Sequence, residues 1–276
     1  RIHEKLAARG YPFYDFFFPP LVIDAIETGR TKALAKWIEE ILENGYSTVH
    51  MLGCHDGIPV LDLQGYLEDE RIQRLIEVIT ASGGRVKNLY GPDGNKISYY
   101  QVNATFFSAL GEDVRKLLLA RAVQIFMPGV PQVWYLDLFG GTNDYDAADR
   151  AGHKEINRTN LSVEEIERRL TSQSTRDQLA LLRLRNTHPA FGKGARLTVE
   201  RVADDGTPVN MGDHTSSALR AAGRAPGTAD SPTVGHSGTA DSPTAGHSAV
   251  GSRPYDTTET DASRLRLTWK RGTHRA

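Results

Sequence analysis

Ser47-Thr48-Val49-His50-Met51-Leu52-Gly53-Cys54-His55-Asp56-Gly57-Ile58 is the stretch on which the fold turns. An apolar, β-branched run at 48–52 passes without a break into His-Asp-Gly, so two ionisable side chains stand at the C-terminal end of a strand. In a parallel α/β barrel that end of the strands is where chemistry is done. Sequence alone leaves the pair two readings: a functional imidazole and carboxylate, or a turn cap in which Gly57 supplies a positive φ. Cys54 beside His55 suggests a thiol–imidazole dyad, but neighbours on an extended chain point to opposite sides, and a buried cysteine is the expectation. A His-Asp metal pair lacks a further ligand at diagnostic spacing, and no HExxH, P-loop or GxGxxG occurs.

Outward from this stretch, helical and strand-like segments alternate. Apolar residues recur on one face at 31–43 (Leu34, Trp37, Ile38, Ile41) and at 70–81 (Ile72, Leu75, Ile76, Ile79). A third helix is predicted at 113–126, stopped by Pro128-Gly129, and Ser162-Val163-Glu164-Glu165 is a capping box opening a fourth. A fifth is predicted at 176–186, with Leu179, Leu182 and Leu184 apolar. Aromatic or β-branched runs at 13–18, 48–52 and 132–136 read as strands, and the alternation argues for an α/β fold with a parallel sheet. Beyond Phe191, period-two patterns at 195–202 and 264–270 predict a small antiparallel β-domain. Between them, 213–263 is rich in Gly, Ala, Ser, Thr, Pro and Asp and is expected to be a disordered loop. It holds a tandem repeat, 227–237 and 238–248, whose copies differ only at Val234 and Ala245. Two copies are too few for a solenoid, and His236 and His247 read as parts of a duplicated insert rather than as metal ligands.

Composition excludes several classes. The 276 residues carry 33 Lys+Arg against 34 Asp+Glu, a net charge of -1, so no nucleic-acid or anionic-membrane partner is expected. One cysteine forbids an internal disulfide framework and suits a reducing, cytoplasmic compartment. The longest apolar stretches, 117–123 and 130–139, are too short to cross a bilayer. The start, Arg1-Ile2-His3-Glu4-Lys5, is no signal peptide and reads like the interior of a longer protein. Sequons at 103–105 and 157–159 mean little without a secretion signal.

Two further clusters bear on chemistry. Ser98, Tyr99, Tyr100, Gln101 and Asn103 follow the turn-like Gly91-Pro92-Asp93-Gly94-Asn95; rings that stack on sugar C–H faces and amides that bond hydroxyls suit carbohydrate recognition, or are an ordinary polar surface. The polar run at 153–158, ending in Asn157-Arg158, reads as a solvated loop unless it joins the site.

The motifs YDF at 14–16, HDGI at 55–58, YQVNATFFSALG at 100–111, ARAVQIFMPGVPQVWY at 120–135, GTNDY at 141–145 and EINR at 155–158 stand in an order that resembles sucrose phosphorylase and its relatives in the α-amylase superfamily, glycoside hydrolase family 13. The resemblance implies the C-terminal part of a (β/α)8 TIM barrel, about strands six to eight, in residues 1–192. It also implies a small antiparallel β-domain in 193–276, carrying the insert 213–263. It implies a retaining double displacement that gives α-glucose 1-phosphate, with inorganic phosphate as co-substrate and no metal or organic cofactor. Asp56 would be the stabilising third carboxylate, with His55 on the same sugar, and Tyr100, Gln101, Arg158 and Ser98 would contact substrate, Arg158 with Tyr100 holding phosphate. The partners are then a sugar and phosphate, with a homodimer left open.

Two departures sharpen the expectation. The register of 5–16 starts the chain after the acid/base Glu, so that the nucleophile and acid/base carboxylates lie outside it as written. Ser98 stands where sucrose phosphorylases carry an Asp, and Thr159 where they carry a His, which points to another acceptor: glycerol, glycerate or a phosphorylated sugar. The alternatives are a phosphorylase for glucosylglycerol, glucosylglycerate or sucrose 6-phosphate, a hydrolase of the superfamily, or a degenerate, non-catalytic carbohydrate-binding fragment.

Overall fold

The computed structural model describes residues 2–90, 92, 94–202, 208–209 and 264–276. The insert at 213–263, with its repeat, His236 and His247, lies outside the described residues.

The chain opens with α1 (Ile2–Ala8) and β1 (Phe13–Asp15). The strand expected at 13–18 stops at Asp15, whose carboxylate accepts the amides of Phe17 at 3.1 Å and Phe18 at 3.0 Å and turns the chain into α2 (Phe18–Thr28). Pro19 and Pro20 sit in the first turn of α2, where no amide donor is needed. Next, α3 (Lys32–Glu43) buries Leu34, Trp37, Ile38 and Ile41, as its periodicity requires. The Trp37 indole donates to both Asp15 oxygens at 3.0 Å, tying the helix to the strand end.

After β2 (Thr48–His50) and β3 (Ile58–Pro59), α4 (Asp69–Ala81) buries Ile72, Leu75, Ile76 and Ile79. The hairpin β4 (Arg85–Tyr90) and β5 (Lys96–Asn103) is followed by α5 (Phe106–Ala109) and α6 (Val114–Phe126). Asp113 caps α6 by accepting the Arg115 amide at 2.7 Å. The strand expected at 132–136 lies earlier, as β6 (Val130–Pro131), and the Gln132 amide adds one bond to the His50 carbonyl at 2.9 Å. By Tyr135 the chain is already helical, in α7 (Tyr135–Leu138). Next come α8 (Tyr145–Ala151), α9 (Val163–Leu170), opened by the foreseen bond from the Glu165 amide to Ser162 Oγ, and α10 (Gln173–Thr187). In α10 the expected leucine stripe gives way to Thr175 and Gln178 as the buried residues, while Leu179 is exposed.

The strands β7 (Arg196–Val202), β8 (Pro208–Val209), β9 (Arg264–Arg271) and β10 (His274–Arg275) complete the chain.

Three sheets result. β1, β2 and β6 pair in parallel in the order β1-β2-β6, each leading on towards a helix, as the alternation requires. A second sheet, β3-β5-β4, is antiparallel. The third, β10-β9-β7-β8, pairs Val202 with Arg264, so the two ends of the insert meet across one ladder, as the patterns at 195–202 and 264–270 predict. It docks through Trp269, whose indole donates to the Phe126 carbonyl at 2.8 Å and whose ring lies 5.7 Å from that of Phe191. The Arg185 guanidinium covers both rings, at 4.7 and 5.0 Å. Among the described residues no helix is long and apolar enough to cross a membrane.

Candidate active site

The carboxyl ends of β1, β2 and β6 gather buried polar groups that no local pattern requires. Asp15 is fully buried, and its burial pushes the carboxyl up to about 6 against the pull of the Trp37 indole and the Phe18 and Phe17 amides. His50 lies edge-on to Phe18 at 5.6 Å with its Nε2 3.1 Å from the Gln124 carbonyl; burial holds it down at about 3, a neutral ring. Asp137, in α7, is pushed up to about 6 by burial, while Arg121 and the Gly53 amide pull the other way.

These groups fix the loop that leaves β2. The Gly53 amide donates to Asp137 Oδ2 at 2.7 Å, and a Cβ at Gly53 would meet the other Asp137 oxygen at 2.7 Å, so the carboxylate occupies the room the glycine leaves. Arg121, from α6, donates to Gln178 Oε1 at 2.9 Å and to Gln124 Oε1. Gln124 donates in turn to the His50 carbonyl at 3.0 Å and the Gln132 carbonyl at 2.9 Å, bridging the exits of β2 and β6. Gln178 donates to the Asp137 and Leu138 carbonyls at 3.1 and 3.0 Å. This connected set makes the loop stiff at its root.

Its tip is held from the other side. Asn157, buried in a 3-10 turn at His153–Asn157, donates from one amide nitrogen to the Cys54 carbonyl at 2.8 Å and the Asp56 carbonyl at 2.7 Å. Arg158 Nε donates to the His55 carbonyl at 2.8 Å. Three successive carbonyls of the loop are therefore held by two adjacent side chains, and the His55 and Asp56 side chains are left facing solvent, Nε2 to Oδ2 3.5 Å. The Arg158 guanidinium stands 3.8 Å from Asp56 and 3.7 Å from Glu155, and the His55 ring centre is 6.2 Å from that of Trp134. A carboxylate and an imidazole on a rigid loop, beside a guanidinium and an aromatic wall, can bind vicinal hydroxyls and stabilise positive charge on a sugar ring.

Several sequence expectations are corrected here. The run at 153–158 is no solvated loop, because Ile156 and Asn157 are buried; both sequon asparagines, Asn103 and Asn157, are buried too. The positive φ foreseen for Gly57 is absent from the glycines that adopt one. Gly57 is instead required by close approach: a Cβ would lie 2.5 Å from Asn103 Oδ1, 2.8 Å from the Val102 carbonyl and 2.9 Å from Gln101 Nε2. Cys54 is only partly buried, and because the loop is bent, its Sγ takes the Asp56 amide at 3.3 Å instead of pointing away from its neighbours. Burial is the main cause that pushes its thiol up to about 11.

Of the residues predicted from sequence, His55, Asp56 and Arg158 come together, and Gln101 lies under Gly57, donating to Asn103 Oδ1 at 2.6 Å. Ser98 and Tyr100 stand further along the hairpin: Ser98 accepts from Gln64 Nε2 at 2.9 Å, and the Lys87 ammonium lies 5.0 Å from the Tyr100 ring centre. Residues that sequence reasoning missed are Asn157, Asp137 and Arg121. The signal for the last was available: Arg121 and Gln124 interrupt the buried face of α6 one turn apart.

No protein-family model matches the chain. It is 60% identical over 200 residues to a sucrose 6(F)-phosphate phosphorylase of Ilumatobacter coccineus, a match that covers 69% of this chain and 38% of the relative. The chain belongs to the sucrose-phosphorylase-like family. Sucrose phosphorylase of Agrobacterium vitis is 37% identical over 196 residues, covering 68% of this chain and 40% of that one. The crystal structure of a sucrose 6F-phosphate phosphorylase from Thermoanaerobacter thermosaccharolyticum superposes with a TM-score of 0.65 at 28% identity, over 75% of this chain and 49% of that one. The mixed α/β fold is thus the one this phosphorylase has, and the chain spans about two fifths of the length of the curated relatives it matches.

Gly57→Ala is expected to destabilise the chain by about 1–3 kcal/mol, because the added methyl meets the fixed Val102 backbone as well as movable amide ends. Urea unfolding of the two proteins would measure it, and an unchanged midpoint would mean that the hairpin yields freely.

Proposed function

We propose that the protein carrying this chain is a retaining glycoside phosphorylase that cleaves sucrose 6F-phosphate or sucrose with inorganic phosphate, yielding α-glucose 1-phosphate. The observation that carries this reading is the 60% identity over 200 residues to a sucrose 6(F)-phosphate phosphorylase, beside a loop on which Asn157 and Arg158 hold His55 and Asp56 in place. A phosphorylated acceptor also agrees with Ser98, since an anionic sugar would be repelled by the carboxylate that sucrose phosphorylases carry there.

In this reading β1, β2 and β6 are about strands six to eight of a (β/α)8 barrel within residues 1–192, and 193–276 form the accompanying β-domain. The chemistry is a double displacement between two carboxylates, needing neither metal nor organic cofactor. Asp56 bonds sugar hydroxyls and balances the oxocarbenium-like charge, and His55 bonds the same sugar. Arg158, with Tyr100 and Gln101, receives the incoming phosphate or the acceptor.

The test is product analysis with the full-length protein. Sucrose 6F-phosphate plus phosphate is expected to give α-glucose 1-phosphate at a rate that rises and saturates with phosphate, with sucrose as the weaker substrate. Free glucose formed at a rate independent of phosphate would replace the phosphorylase by a hydrolase. No turnover of any α-glucoside would leave a carbohydrate-binding protein.

A further inference from the structure

Cys54, His55 and Asp56 form a cluster that sugar chemistry does not use in full. One donor atom from each, a thiol sulfur, an imidazole nitrogen and a carboxylate oxygen, all lie within 4.8 Å of one another. Three consecutive residues of an extended strand could not do this, because alternate side chains would diverge. Here the loop is bent and held: Asn157 and Arg158 take the carbonyls of all three residues, and the Cys54 sulfur folds back to 3.3 Å from the Asp56 amide. His55 and Asp56 are more than half exposed and free to close by the roughly 1–1.5 Å that separates the widest of these spacings from the roughly 3.3–3.8 Å between ligand atoms of tetrahedral zinc.

We propose that Cys54, His55 and Asp56 bind a thiophilic divalent cation of the zinc type, and that its occupancy excludes sugar from His55 and Asp56. The second clause rests on the functional reading above; the first does not. The donor set of one sulfur, one nitrogen and one oxygen is borderline-soft and selects zinc-like ions over magnesium or calcium. The surroundings divide: burial, Asp56 and Asp137 favour the thiol of Cys54, while the Arg158 guanidinium, 3.8 Å from Asp56, favours the thiolate. Arg158 can give up Asp56 to the ion, because its Nε stays bonded to the His55 carbonyl and Glu155 waits at 3.7 Å. On binding, the S–H bond of Cys54 breaks, its proton passes to water, and the sulfur electron pair forms the bond to the metal; no oxidation state changes. Three protein ligands leave a fourth position open to water, so the ion acts as a reversible plug over the sugar site and not as a structural clamp.

Cobalt(II) is the probe, since a thiolate bound to it absorbs by sulfur-to-metal charge transfer. Cys54 is the single cysteine of these 276 residues, and loss of the absorption on its replacement assigns the thiolate to it. Titration is expected to saturate at one ion per chain, with release by added zinc, loss of the absorption in Cys54→Ser, and weakening by about tenfold or more in His55→Ala. Absence of the charge-transfer band, its persistence in Cys54→Ser, or saturation at one ion per two chains would overturn the site; circular dichroism of each variant verifies that it is folded. For the second clause, phosphorolysis by the full-length protein is expected to be inhibited by micromolar zinc competitively with the glucoside, and Cys54→Ser to remain active and become insensitive. Active enzyme indifferent to zinc would overturn the plug alone, whereas absent phosphorolysis would count against the functional reading and leave the cobalt titration to decide the site.

Discussion

Asp56→Asn is expected to lower kcat for phosphorolysis by the full-length protein about 10³-fold, while the unfolding temperature stays nearly unchanged. The substitution keeps shape and removes charge. In the proposed mechanism that charge is used only as the sugar ring becomes oxocarbenium-like, so the loss should fall on kcat far more than on KM. Stability should hardly respond, because the Asp56 side chain is 52% exposed and its ion pair with Arg158, at 3.8 Å, is a loose one. Steady-state kinetics beside a thermal melt would separate the two effects. A loss under tenfold would move the stabilising carboxylate elsewhere, and a melt several degrees lower would make Asp56 a structural group.

What could be read from the chain divides along the range of the interactions. The helices at Lys32–Glu43 and Asp69–Ala81 and the Ser162 cap follow from patterns a few residues long, and structure and sequence agree there within a residue or two. The pairing of Arg196–Val202 with Arg264–Arg271 follows from period-two alternation on both sides of the insert. The errors come where a distant partner overrides local preference. The aromatic run at 13–18 has every property of a strand, yet Asp15, anchored by Trp37 from 22 residues away, ends it after three residues. The run at 132–136 is apolar and aromatic, yet Asp137 is bonded to Gly53, 84 residues distant, and the chain is helical around it. The candidate site follows the same rule. His55 and Asp56 are legible because a strand runs into them, and Arg158 through the family resemblance. Asn157 was quoted only as part of a motif and a sequon, because nothing local says that its amide reaches back across 101 and 103 residues to hold that loop.

Arg121→Met should produce the largest loss of stability, about 3–5 kcal/mol, although Arg121 bonds Gln124 and Gln178 and has no role in the proposed sugar chemistry. Methionine fills the space, so the loss is electrostatic: the oxygens of Gln124 and Gln178 lose their donor, and Asp137 loses the positive charge that acts on it. The pH dependence identifies the cause. Asp137 and Asp15 each have a folded-state pKa of about 6 against an ordinary 3.8, so the folded protein holds their protons longer than the unfolded chain does. Their penalty is absent below about pH 4, grows between 4 and 6, and is complete above 6. His50 has the opposite sign: its folded value of about 3 lies below the ordinary 6.5, so its contribution is complete above 6.5 and is lost as acid protonates the unfolded chain. Between pH 6 and 4 two carboxylates oppose one histidine, and these three groups together should raise stability on acidification by about 1.4 kcal/mol per pH unit. Removing Arg121 pushes the Asp137 carboxyl higher still, extending its penalty beyond pH 6, so the deficit of Arg121→Met should widen from pH 5 to pH 8. Adding Asp137→Asn should remove the widening, since no ionising group is left, while the unpaired glutamines keep part of the loss. Urea unfolding midpoints of the parent, the single variant and the double variant across that range would measure this. A deficit that stays constant with pH would mean that Arg121 serves the glutamines alone and that Asp137 keeps its proton without reference to it.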